Sequence, residues 1–227
     1  MADYSVQGQS VSIPNFNAGS AQDGPVSVTR RGEQIVIPWY QHLMDKGRLY
    51  QDSPSTVATG LTVAVTTYVA TTPVWMMDVA TGTTVVPISL EARQVGTVAG
   101  GVIKCILSAD RIARYSSGGT AKTPINLKIG GAQGPTAVGP RASTSVVYTG
   151  ATAAAVNTHI ELFSTFLTQD VGAGTLPGSM QTIFAWPRDP LEPPPMLVGP
   201  ASLLFHTFAA TTNATWAYRF VWAELDS

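Results

Sequence analysis

Short segments rich in β-branched residues, separated by glycine, proline, asparagine and aspartate, constrain the fold of this chain more than any other feature. A spacing of about 8–12 residues between such segments is typical of an all-β sandwich or barrel. The chain therefore predicts strands joined mainly by turns and loops. The predicted strand segments are 26–40, 59–70, 73–80, 83–94, 96–112, 145–150, 155–168, 179–186, 201–210 and 215–226.

Helix signals are few. The best candidate is 38–50, which has Pro38 at its start and Gly47 near its end. No repeat of fixed period is present, which argues against a propeller or a solenoid. Eight or more antiparallel strands with long connections favour a jelly roll. We therefore predict an all-β, jelly-roll-like two-sheet antiparallel sandwich with an extended N-terminal arm and at most one short helix.

The chain divides by composition into an arm and a domain. Residues 1–25 are rich in Ser, Gln, Gly, Asn and Ala and contain only isolated apolar residues, which predicts an extended arm without a core. An arm that packages nucleic acid would carry a dense basic run, and none precedes Arg30. Residues 26–227 are predicted to form a single β-sandwich domain, because sandwiches of this length fold as one unit.

Two connections within the domain are unusual in composition. The Gly/Pro-rich segment 114–144 predicts a long loop or excursion, in which 125–129 is a candidate short strand. The segment 187–200 is rich in proline, which cannot join a sheet interior, so we predict an extended connection there.

The charge content bears on partners. Charged residues make up 12% of the chain, about half the usual share of roughly 25%. A surface with so little charge predicts that much of it contacts other protein, although a merely neutral, Thr-rich β protein is the alternative. The formal net charge of -1 gives no reason to expect nucleic acid or an anionic membrane. No continuous run of apolar residues is as long as the about 18 residues that a membrane-spanning helix needs.

Residues for chemistry are scarce. The histidines are His42, His159 and His206, and no two have a metal-binding spacing. Acidic residues are scattered, and no nucleophile elbow or phosphate loop is present. Cys105 has apolar neighbours and is predicted to be a buried, inert thiol. We therefore predict no catalytic, metal-binding or cofactor-binding residues and a protein that is not an enzyme.

The C-terminal segment "TWAYRFVWAELD" has an aromatic residue at every second position over part of its length. Side chains alternate faces along a strand, so these aromatics share one face. A platform that stacks sugars is one interpretation, but an exposed patch of that size exceeds what soluble proteins tolerate. We predict core positions for Trp216, Tyr218, Phe220 and Trp222.

Charged residues of the same segment are candidates for a contact between subunits. Arg219 is predicted on the face opposite the aromatics, and Glu224 and Asp226 follow it. We predict that these three side chains make polar contacts with a neighbouring subunit. Charge reversal at Arg219 should then weaken assembly more than folding.

Two segments, "MDVATGTTVVPISLEA" (77–92) and "PPPMLVGPASLLFHTFAATTNATWAYRFVWAEL" (193–225), resemble jelly-roll structural proteins of tailed-bacteriophage particles. In those proteins a strand ends in a turn plus "TTVVPISL", and a Pro-rich segment later leads into a strand, a Thr/Ala/Asn turn and a last strand ending near "WAEL". The resemblance implies a non-enzymatic capsid decoration or auxiliary subunit that stabilises a phage head, and it carries over no catalytic residues.

The partners expected from this resemblance are copies of the chain, with a trimer as the expected form, and other capsid proteins at the virion surface. Direct contact with nucleic acid or membrane is not expected. The alternative is a receptor- or glycan-binding module of a head fibre or tail, in which an exposed aromatic such as Trp75 or Trp186 stacks on host surface glycan. A hydrolase remains a third hypothesis, which requires two facing carboxylates.

Overall fold

The structure is a computed structural model. It divides the chain into two compact units, Met1–His42 and Leu43–Ser227. The first unit is described only at residues 39–42, so the predicted arm at 1–25 and its boundary with the domain lie outside the described residues. The structure describes residues 39–54, 60–62, 65–94, 103–130, 139–142, 147–148, 159–167, 182–186, 194–209 and 215–226.

One short helix, α1 (Trp39–Asp45), precedes the strands in the described residues. The strands are β1 (Leu49–Asp52), β2 (Leu61–Thr62), β3 (Trp75–Val79), β4 (Thr83–Gln94), β5 (Ile103–Asp110), β6 (Tyr115–Ser117), β7 (Thr120–Ala121), β8 (Ile125–Asn126), β9 (Arg141–Ala142), β10 (Val147–Tyr148), β11 (His159–Leu167), β12 (Thr182–Trp186), β13 (Leu197–Val198), β14 (Ala201–Ala209) and β15 (Thr215–Asp226).

The strands form two packed antiparallel sheets, which confirms the predicted all-β sandwich. The first sheet has the order β12-β4-β15-β1-β8, and the second has the order β11-β5-β14-β3-β9-β7. If β1, β3, β4, β5, β11, β12, β14 and β15 are numbered one to eight, the two sheets contain the orders 1-8-3-6 and 2-7-4-5. This order is the double Greek key of a jelly roll. β10 pairs with β6 in a separate small sheet.

The predicted helix at 38–50 is too long. α1 ends at Asp45, because Gly47 adopts a left-handed conformation with φ of 69°. The Gly47 amide donates to the Met44 carbonyl and the Arg48 amide donates to the Leu43 carbonyl, both at 2.9 Å, which forms a Schellman cap. The cap reverses the chain into β1, so residues 49–50 are strand rather than helix.

The inner faces of the two sheets form the main core. All four aromatics of the β15 row are buried there. The Phe220 ring packs edge-on against Trp75 of the opposite sheet at 4.5 Å, and stacks with Trp222 at 5.5 Å. Tyr50 of β1 also stacks with Trp222, at 6.2 Å. These aromatic pairs join β15 to its neighbour β1 in the same sheet and to Trp75 of the opposite sheet. β15 is therefore central to the packing of the core.

A bulge in β4 changes which side chains face the core. Val221 of β15 is opposite Ser89, but Trp222 is opposite Pro87, so Ile88 is the extra residue. Proline is tolerated inside this long strand because a bulge interrupts the hydrogen-bond ladder. The outer face of the sheet carries a second apolar cluster, composed of Leu49, Val86, Val221 and Ala223 with Leu43, Met44, Ile88, Leu127 and Leu225 packed against it.

The segments predicted as connections also contribute strands. The excursion at 114–144 adds β8 to the first sheet and β7 and β9 to the second. The Pro-rich connection at 187–200 contains β13, which pairs with Thr84 and Val85 of β4. The connection is extended at its described end, where Leu197 and Val198 add a short strand beside β4; residues 187–193 lie outside the described residues.

Candidate functional site

Asp52 is a buried carboxyl group at the end of β1, between the two sheets. The Trp75 indole Nε1 donates to Asp52 Oδ2 at 2.8 Å. The Tyr218 hydroxyl donates to the same oxygen at 2.9 Å. Because Trp75 belongs to β3 and Tyr218 to β15, one carboxyl oxygen links the second sheet to the first.

Burial sets the protonation chemistry of this cluster. Desolvation raises the pKa of Asp52 above its ordinary value, against the opposing effect of the hydrogen bonds from Trp75 and Tyr218. Burial and the neighbouring Asp52 carboxyl both raise the pKa of the Tyr218 hydroxyl, so it stays a donor. The cluster therefore acts as a hydrogen-bonded connection between the sheets.

A groove of about 340 Å³ lies next to this cluster on the surface of the first sheet. β1 ends at Asp52 and β2 begins at Leu61, and both strands pair with β15. The groove lies beside the stretch of β15 between these two pairings, which has neither strand next to it. Its lining residues are Ser53, Pro54, Glu91, Arg93, Ala217, Tyr218 and Arg219.

The charged side chains of the groove lie on neighbouring strands. Arg219 is directly opposite Glu91, and Ala217 is opposite Arg93. Both the Nε and an amino group of Arg93 donate to Glu91 Oε1, and Arg219 Nε donates to Gln51 Oε1 at 2.8 Å. Two guanidinium groups and one carboxylate beside a small alanine suit an anionic or polar ligand.

Two of the three side chains predicted to contact a neighbouring subunit, Arg219 and Glu224, lie on opposite faces of β15. Arg219 is exposed at the groove, as its alternation with the aromatics predicted. Glu224 is buried, and its Oε1 accepts a hydrogen bond from Trp222 Nε1 at 3.2 Å. The prediction for Glu224 is wrong, because an even-numbered residue of β15 faces the core. The side chain of Asp226 lies outside the described part.

A second polar cluster lies on the outer face of the second sheet. Asp78 of β3 is opposite Ser202 of β14, which is opposite Asp110 of β5. Ser202 Oγ donates to Asp78, and Tyr115 N donates to Asp78 Oδ2 at 2.9 Å. Arg114 Nε donates to Asp110 Oδ2 at 3.0 Å. These bonds attach the start of the excursion to the sheet, so the cluster has a structural role.

Trp75 and Trp186 were the exposed aromatics expected for glycan stacking, and the structure contradicts both positions. Each is buried in the main core. Tyr68, in the loop before β3, is an exposed aromatic residue that packs on β14 of the second sheet, with ring contacts to His206 at 5.1 Å and Phe208 at 5.9 Å. A glycan platform on Trp75 or Trp186 is therefore excluded.

The predicted burial of Cys105 is confirmed, and desolvation raises the pKa of its thiol. Among the described residues, no group of three or more His, Cys, Asp or Glu side chains converges in a way that suits a metal ion. In the part of the chain that the structure describes, no helix has the length and apolarity of a membrane span.

Comparison of the chain with protein-family models, curated proteins and solved structures found no significant match.

Proposed function

We propose that this protein is a non-enzymatic structural subunit of a virus particle, a decoration or auxiliary protein that assembles on a tailed-phage head and stabilises it. The observation that carries the proposal is the jelly-roll strand order, an architecture used by viral capsid domains. The function would be mechanical, since each subunit that spans a joint in the shell adds buried area there.

The positions of the two segments that resemble phage jelly-roll proteins support this proposal. The segment 77–92 contains most of β4, and the segment 193–225 contains β13, β14 and most of β15. β4 pairs with both β13 and β15, and β14 pairs with β3. The resemblance therefore falls on one contiguous unit at the centre of the sandwich.

The hydrogen bonds of Asp52 and Asp78 support a non-enzymatic role. The Asp52 carboxyl accepts hydrogen bonds from Trp75 and Tyr218. The Asp78 carboxyl accepts hydrogen bonds from Ser202 and from backbone amides. General acid–base chemistry needs a carboxyl group within reach of a substrate, and these carboxyls make internal bonds instead.

Deletion of residues 1–25 tests the role of the arm. We expect the truncated protein to keep its folded domain, measured by circular dichroism and thermal unfolding, but to be lost from particles. Occupancy is measured by quantitative gel analysis of purified particles mixed with truncated or full-length protein. Equal occupancy of the two proteins would contradict the arm's role.

Arg219→Glu tests the surface of the groove. Because residue 219 is opposite Glu91, the variant places two carboxylates together and should destabilise the fold by only about 0.2–1 kcal/mol. We expect binding to particles to weaken by about tenfold. Arg111→Glu, at another exposed arginine, is the matched control. Equal effects of the two reversals would show that Arg219 has no specific contact.

A glycan-binding head-fibre or tail module is the second candidate, and the groove beside Arg93 and Arg219 favours it. Acidic host-surface polysaccharide should then bind the wild-type protein and bind Arg219→Gln at least tenfold more weakly. Calorimetry with acidic and neutral polysaccharides measures this difference. Failure of both polysaccharides to bind would exclude the second candidate.

A further inference from the structure

The groove on the first sheet contains hydrogen-bond donors that the described residues leave unused. Arg219, which is exposed, donates from Nε to Gln51 Oε1 at 2.8 Å. Within the described part of the chain, its two terminal amino groups make no hydrogen bond or ion pair. The hydroxyl of Ser53, another lining residue, also makes no hydrogen bond to the residues that the structure describes. These groups can donate to a ligand in the groove.

Arg93 brings a second guanidinium group to the groove. Its Nε donates to Glu91 Oε1 at 2.9 Å, and one of its terminal amino groups donates to the same oxygen, so Glu91 fixes its position. Arg219 is directly opposite Glu91 on the neighbouring strand. Arg93 therefore lies diagonally across from Arg219, at the separation of about 7–8 Å that is usual for such residues. One ligand can contact both arginines.

The charges of the groove favour a ligand group with a single negative charge. Two arginines and one glutamate among the lining residues, Arg93, Arg219 and Glu91, give the groove a net charge of +1. A carboxylate carries one negative charge, and its two oxygens match the two amino groups at the end of a guanidinium group. A chain of closely spaced anionic groups would also meet the Glu91 carboxylate, which repels it.

The size and the neutral lining of the groove fit one sugar residue. Its volume of about 340 Å³ is at the lower end of the range of about 300–1,000 Å³ for pockets that bind small molecules. Pro54 and Ala217 provide apolar surface for the C–H groups of a sugar ring, and the Ser53 hydroxyl can donate to a sugar oxygen. Because the groove lies on the surface, the neighbouring residues of a polysaccharide can extend beyond it.

We propose that the groove binds a carboxylated sugar of an acidic polysaccharide, with the carboxylate on the two terminal amino groups of Arg219. Ser53 and Arg93 contact the oxygens of the same sugar. Gln51 is a positioning residue, because its hydrogen bond to Nε orients the guanidinium group and involves no contact with the ligand. This inference rests on the second candidate function and deepens it, since it names the recognised group and the residues that recognise it.

Calorimetry with oligogalacturonate and its methyl ester tests the carboxylate contact, because esterification removes the charge and keeps the sugar. We expect the wild type to bind the acid about tenfold more tightly than the ester. Arg219→Lys keeps the positive charge but loses the planar fork, so it should weaken binding of the acid by about tenfold. Arg111→Lys, at an exposed arginine outside the groove, is the matched control and should bind the acid as the wild type does.

Two further variants separate positioning of Arg219 from contact with the sugar. Gln51→Ala leaves the net charge unchanged and should weaken binding of the acid more than binding of the ester, so the ratio of the two affinities falls. Ser53→Ala should weaken binding of both ligands alike. An equal loss of both ligands in Gln51→Ala would show that Gln51 does not act through Arg219. Circular dichroism checks that each variant is folded.

The inference and the proposed functions can fail separately. Equal binding of the acid and the ester, or an unchanged affinity in Arg219→Lys, would overturn the carboxylate contact and leave a glycan-binding role elsewhere on the protein. Tighter binding of dextran sulfate or of polyglutamate than of oligogalacturonate would assign the groove to sulfate groups or to an acidic protein. Failure to bind both oligogalacturonate and polysialic acid would overturn the inference, whereas binding to phage particles tests the decoration role independently.

Discussion

Replacing Asp52 with alanine is expected to lower the free energy of unfolding by about 2–6 kcal/mol in mildly acidic buffer, because two buried donors lose their acceptor at about 1–3 kcal/mol each. The Trp75 indole and the Tyr218 hydroxyl both point at Asp52 Oδ2. Urea unfolding followed by tryptophan fluorescence measures the loss. A change below about 1 kcal/mol would show that the cluster does not stabilise the sandwich.

The pH dependence of the wild type provides an independent check. The raised pKa of Asp52 means that the folded state binds a proton that the unfolded state releases at its ordinary pKa of 3.8. This contribution to stability is fully present below that value and is lost as the pH rises through the raised folded-state pKa. The difference between wild type and Asp52→Ala should therefore narrow from acid toward neutral pH.

Asp52→Asn is the matched control. The amide oxygen can accept both hydrogen bonds and does not ionise, so this variant should unfold within about 1 kcal/mol of the wild type at acidic pH. It should also lack the stability change that Asp52 produces between its unfolded and folded pKa values. If the free energy of unfolding of Asp52→Asn depends on pH as that of the wild type does, the dependence arises from another group.

Replacing Gly199 with alanine is expected to destabilise the protein by about 3 kcal/mol or more, at or above the upper end of ordinary overpacking. A Cβ at Gly199 would lie 1.9 Å from the Ala80 carbonyl oxygen and 2.9 Å from that of Val79. The obstacle is backbone, so it cannot rotate away. The Gly199 amide also donates to the Thr83 carbonyl at 3.0 Å, which fixes the strand beside the turn.

Two other glycines separate the effect of a steric clash from the effect of backbone strain. At Gly139 a Cβ would meet nothing within 4 Å, so Gly139→Ala should be neutral or stabilising by up to about 1 kcal/mol. Gly130 also has open space but a φ of 83°, so its alanine variant should lose about 1 kcal/mol through backbone strain alone. Thermal unfolding ranks the three variants. A Gly199→Ala protein as stable as Gly139→Ala would contradict the close approach.

Sequence periodicity predicted the strands that have one buried face and one exposed face. The predicted strand at 83–94 matches β4 at both ends, and the alternation of "TWAYRFVW" placed its four aromatics on one face. The same alternation extends to Glu224, which is buried like the aromatics although it carries a charge. The position of a residue in the alternation therefore predicts its burial here better than its charge does.

Alternation of apolar and polar residues does not predict a strand that is covered on both faces. β14 is buried at nearly every position, because it lies between β5 and β3 with the core on one face and surface segments on the other. Tyr68 packs over His206 on that outer face, and Tyr115 packs near Met76 and Leu204. Such burial depends on distant segments, so no local pattern predicts it.

The sequence by itself determined the all-β class, the segments of the long strands and the inward face of β15, because period-2 patterning and turn residues act locally. Only the tertiary structure decided the order of the strands in the jelly roll and the formation of the Asp52 cluster. Those features join residues far apart in the chain, such as Asp52 with Tyr218, whose partnership depends on which strands become neighbours.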